Sequence, residues 1–188
     1  MPDMFNDSDI KIAPEDLSQL DYRENPAADD NIALFLRQRT LGNTNRARKL
    51  GEKYVADLLD CVWTKAPAGL SQEVFEKQLK LLYSYTVHRA IEDYSPNHIV
   101  ADTALSRFYE RLEEADVALF NEINESPAFS MYLFLHRSKE ETAQTIGKTF
   151  ASLCSKKELP DCEIIGESAY SRFMGACLQR ILTAGYIE

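Results

Sequence analysis

The residues in this chain with the most obvious chemistry form a short basic run. Arg37, Arg39, Arg46, Arg48, Lys49 and Lys53 stand against one acid, Glu52, a local net of +5 over residues 37–53 in a chain of net charge −9. Arginine forks match the paired oxygens of a carboxylate or phosphate. A helix beginning near Thr44 would add free backbone N–H groups to the same anion. The run is therefore a candidate anion-binding site for a phosphate, a nucleotide or a nucleic-acid backbone. The plainer alternative, and the preferred one, is that these bases pair with acids of the N-terminal arm or elsewhere in the fold. Helix–turn–helix spacing exists in outline, with Gly42 in the turn. The presumed second helix carries an apolar stripe through its middle, however, and the acidic net charge disfavours nucleic acid.

Histidine and carboxylate spacing gives a second candidate. His88 and Glu92 are four residues apart, as are His98 and Asp102. Residues four apart share a helix face, which is how helices present two metal ligands. These four are the candidate metal set, although neither His-Glu-x-x-His nor Glu-x-x-His occurs around them. The competing reading has His88 making a structural hydrogen bond on its helix. His136 is placed to cap carbonyls at a helix end. No Gly-x-Ser-x-Gly and no glycine-rich phosphate loop is present, so catalytic residues are unknown and no cofactor is implied.

Cys61, Cys154, Cys162 and Cys177 form no Cys-x-x-Cys pair and read as reduced core thiols. The opening residues Met1–Asp7 are acidic and lack an apolar h-region, so no signal peptide is expected. No apolar run reaches the ~20 residues that span a bilayer. A cytoplasmic protein without a membrane partner is the expectation.

These residues have to be held by helices. Residues 1–28 read as an acidic, partly disordered arm, punctuated by Pro2, Pro14 and Pro26. Residues 29–188 read as a single helical domain. A first helix over Asp29–Leu41 stops at Gly42, and Asn43 or Thr44 caps the next. That helix carries Ala47, Leu50, Tyr54 and Leu58 at helical spacing, with Gly51 on the same face, where a close helix contact is expected. Ser71 opens a long helix to about Tyr94 with apolar residues on two faces. Ser95-Pro96 opens another to about Asn124. The stretch Pro127–His136 is polar only at Ser130 before its last residue, and a helix apolar on every side is normally buried on every side. Ser138-Lys139-Glu140-Glu141 matches a Ser-x-x-Glu capping box. The helix after it places the small residues Ala143, Gly147 and Ala151 four apart, a line that lets another backbone approach, in this chain or a second copy. Asp161 can cap a last helix, which Gly185 stops.

No alternating strand pattern is present. The expected fold is all-α, a compact bundle of about six to eight helices around a short buried central helix, Pro127–His136. The expected function is a non-catalytic protein-interaction or binding module, with a protein partner (self, as a homodimer, or other). The alternatives are a helical enzyme using His88, Glu92, His98 and Asp102, and an anion or nucleic-acid binder through residues 37–53.

Overall fold

The computed structural model of this chain describes residues 26–155 and 159–187; most of the acidic arm, residues 1–25, lies outside them. Among the described residues there are eight helices and no strand, so the all-α expectation holds. The helices are α1 (Pro26–Thr40), α2 (Asn43–Leu59), α3 (Gln72–Tyr94), α4 (His98–Ala115), α5 (Val117–Glu125), α6 (Pro127–Arg137), α7 (Ala143–Cys154) and α8 (Pro160–Thr183). The chain divides into two units, residues 1–33 and 34–188, and the second holds the bundle. No described helix is long and apolar enough to cross a membrane.

The centre of the bundle is α3. Its apolar residues run along two faces, and α2, α4, α5, α6, α7 and α8 all pack on it. Phe75, Leu81, Leu82, Tyr85, Val87, Ala90 and Ile91 are completely inaccessible. A helix of 23 residues is long enough for neighbours to surround it, and its weak amphipathicity is the sequence signature of that position.

The short helix expected at the centre is at the surface instead. Helix α6 forms over the expected residues, with Ser126 accepting from the Ala128 N–H at 3.1 Å and Pro127 at the first position. Only Ala128, Phe129 and Tyr132 are buried; Met131 is 42% exposed and Phe134 65%. An apolar run shows how much grease a helix carries but not how many neighbours it has, and α6 meets α3, α5 and α7 on one side only.

Several boundaries also move: α1 begins at Pro26 rather than Asp29, the α2 cap is Gly42 rather than Asn43 or Thr44, and α8 begins at Pro160 with Asp161 inside its first turn rather than capping it. The helix expected from Ser95 to Asn124 begins after Asn97, which caps it through the Val100 N–H, and breaks at Asp116. The Asp116 side chain accepts from the Leu119 N–H at 3.0 Å and so starts α5. The expected capping box at Ser138 is not made. Ser138 ends α6, Lys139 takes a left-handed φ of 59°, and α7 is capped by Thr142 and Thr145 reciprocally. Glu141, the expected box acid, turns inward.

Close helix pairs rest on glycine. A Cβ on Gly51 would lie 2.5 Å from the Ala104 carbonyl oxygen and 2.8 Å from the Phe108 nitrogen, so α2 and α4 touch backbone to backbone. Gly147 of α7 lies the same way on α8, 2.5 Å from the Glu163 carbonyl oxygen. Gly147 therefore serves a contact within this chain.

Replacing Phe129 with Ala should cost about 3–5 kcal/mol, the range for a buried aromatic. Phe134→Ala should stay within about 1 kcal/mol, because its ring is mostly in water. Gly51→Ala should cost about 1–3 kcal/mol by forcing α2 and α4 apart. Urea denaturation of the three variants checks all of this, and equal losses for Phe129 and Phe134 would contradict the placement of α6.

Candidate functional site

Two groups of polar side chains are built to a definite geometry. The first is an ion-pair network on the inner side of α3. Arg89 is 7% exposed, one turn after the buried Tyr85 and Thr86 on α3. A buried guanidinium needs acceptors, since an unpaired one costs several kcal/mol. Its Nε donates to Glu141 Oε2 at 3.2 Å, and its two Nη groups donate to the Asp93 carboxylate. Glu141 also accepts from the Tyr170 hydroxyl of α8 and lies 3.0 Å from His136 Nδ1. Burial alone would raise the Glu141 carboxyl; the Tyr170 hydrogen bond and the Arg89 charge outweigh it and hold the group below its ordinary value. Burial, with the nearby Glu141 carboxylate, pushes the phenol of Tyr85 upward.

Beside it, His88 Nδ1 is 2.8 Å from the Tyr109 hydroxyl, and its Nε2 is 3.3 Å from Glu92 Oε1. Burial lowers its pKa against the pull of Glu92. A neutral ring fits both contacts, with Nδ1 accepting from Tyr109 and Nε2–H donating to Glu92. The network binds α3, the segment before α7, the end of α6 and α8 to one another. It closes charge onto charge, and its evident role is to hold the bundle.

The second group lines a surface cleft between the end of α1, α2 and α4. One lobe, of about 480 Å³, is lined by Phe35, Arg39, Thr44, Asn45, Arg48 and Thr103. Among the described residues no carboxylate pairs with Arg39 or Arg48. Thr44 is 6% exposed, lines the lobe, and its hydroxyl has no hydrogen-bond partner among the described residues. The start of α2 opens here as well. Its cap position is Gly42, which has no side chain to accept from the first-turn N–H groups, and no acid stands in that turn. The adjoining lobe, of about 600 Å³, shares Phe35, Arg48 and Thr103 and adds Glu52, Ile99, Asp102, Ser106, Arg107 and Glu110.

The six bases of the run thus separate. Arg39 and Arg48 enter the cleft. Arg46 is committed to the Leu41 carbonyl at 2.7 Å, closing α1, and Lys53 pairs with Asp57 at 2.9 Å. Arg37 and Lys49 are exposed, with no carboxylate partner among the described residues. Any pairing with the acidic arm lies outside the described residues. The four candidate metal ligands do not assemble: His88 pairs with Glu92, His98 opens α4 on the surface, and Asp102 lines the cleft. Among the described residues no group of three or more His, Cys, Asp or Glu could hold a metal ion.

Sequence reasoning missed the Arg89–Glu141 pair. It named Thr44 only for the start of α2, and it missed Thr103, which carries no signal until α4 is placed against α2.

Removing Arg89 by Arg89→Ala should destabilise the protein by about 3–5 kcal/mol, since Glu141 would be left buried without its guanidinium. Because the folded Glu141 pKa is depressed, its stabilisation is complete above the ordinary value of 4.5 and is lost as pH falls through the lower folded one. His88 is depressed too, so its share is complete above 6.5 and declines below it. Proton NMR should find the His88 midpoint under 6.5; a midpoint above it would contradict the neutral ring. Compared with protein-family models, with curated proteins and with solved structures, the chain finds no match in any of the three.

Proposed function

We propose that this protein is a non-catalytic binding module whose ligand carries a phosphate or carboxylate, held in the cleft between α1, α2 and α4. One observation supports this reading above the others. Arg39, Arg48 and Thr44 line a single lobe, while Arg46 and Lys53 of the same run are already used on a carbonyl and an acid. Two guanidinium groups with no carboxylate partner among the described residues, beside a helix start without a side-chain cap, suit an anion. The Arg46 contact with the Leu41 carbonyl ties the start of α2 to the end of α1, the corner beside which Arg39 and Arg48 line the lobe.

Charge-assisted hydrogen bonds contribute about 1.5–3 kcal/mol each, less where water screens them. Two arginines, a hydroxyl and helix amides then support a dissociation constant of roughly 10–100 µM. Titration calorimetry of the full chain with inorganic pyrophosphate at low salt should show one site in that range. Arg39→Glu and Arg48→Glu should each weaken it at least about tenfold. Lys148→Glu, an exposed change on α7, should leave it unaltered. Equal binding by all four proteins, or none by the wild type, would overturn the reading.

A further inference from the structure

Resting on that reading of the anion site, we infer that the ligand is a zwitterionic phosphoamine, a phosphate group joined through a short linker to a cationic amine. The two lobes share Phe35, Arg48 and Thr103 in their linings and so lie side by side. Their fields are opposite. The first lobe carries Arg39 and Arg48 and no acid. The second carries three carboxylates against Arg107 beyond the shared Arg48.

That guanidinium is already committed. Arg107 Nε donates to Glu52 Oε1 at 2.8 Å and Nη1 to Glu110 Oε2 at 3.3 Å. One cation between two carboxylates leaves negative charge in the lobe, and Asp102 adds another, with no cationic partner among the described residues. A simple phosphate answers the first lobe and leaves the second unanswered. An amine tethered to it answers Asp102 directly.

The junction suits such a cation. Phe35, 43% exposed, lines both lobes, and the face of an aromatic ring attracts an ammonium group. The lobe volumes, about 480 and 600 Å³, fall in the range of about 300–1,000 Å³ that small-molecule sites occupy. They are too small for a folded partner. Free phosphoethanolamine or phosphocholine carries this chemistry, and so does the headgroup of a zwitterionic phospholipid.

Calorimetry with phosphoethanolamine, phosphocholine and glycerol 3-phosphate tests the inference. Both phosphoamines should bind about tenfold tighter than glycerol 3-phosphate, the combined effect of one exposed ion pair and one cation–π contact. Asp102→Asn should remove that advantage while leaving glycerol 3-phosphate binding equal or stronger, and Arg48→Glu should weaken all three. Equal affinity for the three phosphates in the wild type would overturn the phosphoamine while the anion site stands. No binding of these or of pyrophosphate would sink both. Cosedimentation with phosphatidylcholine–phosphatidylethanolamine vesicles, lost in Asp102→Asn, would identify a lipid headgroup as the source. Binding of the soluble phosphoamines without cosedimentation would identify a free metabolite, and either source supports the inference.

Discussion

A guanidinium taken out of water must be answered by carboxylates, and much of this fold can be traced to how Arg89 is answered. It sits on α3, the helix that the others surround, so its partners have to be brought to it. Asp93 comes from the next turn of the same helix. Glu141 comes from the segment between α6 and α7, and to arrive there it gives up a capping role at the start of α7. Lys139 accepts a left-handed backbone and Thr142 takes over as cap. Tyr170 and His136 then occupy the remaining positions around the Glu141 carboxylate, tying in α8 and the end of α6. Desolvating two opposite charges is often no better than packing apolar residues in their place. What such a pair contributes here is register, since several segments must stand in one arrangement to satisfy it.

The cleft depends on a different constraint, the absence of a side chain at Gly51. With the α2 and α4 backbones in direct contact, residues on either side of the glycine face each other across the seam. Arg48 and Glu52 flank Gly51 on α2, and Asp102, Thr103, Ser106 and Arg107 lie opposite on α4. The opposite charges of the two lobes arise from that register. A wider interhelix spacing would separate Arg48 from Thr103 and break the Arg107–Glu52 pair at 2.7 Å.

Helix periodicity made the helices and most of the inner faces legible, because a stripe at 3.6 residues reports burial directly. The two apolar faces of α3 and the close contact at Gly51 were readable for that reason. The position of α6 was not. Its composition is apolar all round, but composition carries no count of neighbours, and a short surface helix can leave Met131 and Phe134 in water. The cap at Thr142 was hidden by a better local match at Ser138, which loses because a distant arginine claims Glu141. Within the basic run, no spacing rule separates Arg46, which closes α1, from Arg48, which lines the cleft. That distinction depends on which side of α2 faces α4.

The fate of Asn43 links the fold to the proposed site. Asparagine at this point would ordinarily cap α2 and occupy its first free N–H groups. Here its side chain is turned away. Asn43 Nδ2 donates to Gln38 Oε1 and to the Ile187 carbonyl, both at 2.6 Å, and its Oδ1 accepts from the Ile187 N–H at 3.0 Å. The segment after α8 is thereby fastened to the corner between α1 and α2. The cap position passes to Gly42, whose φ of 76° suits the turn and which has no side chain to accept from the first-turn amides. Diverting the natural cap would be a net loss if water alone replaced it. Beside Arg39, Arg48 and Thr44, the uncapped start of α2 puts the positive end of its dipole next to the place proposed for the anion.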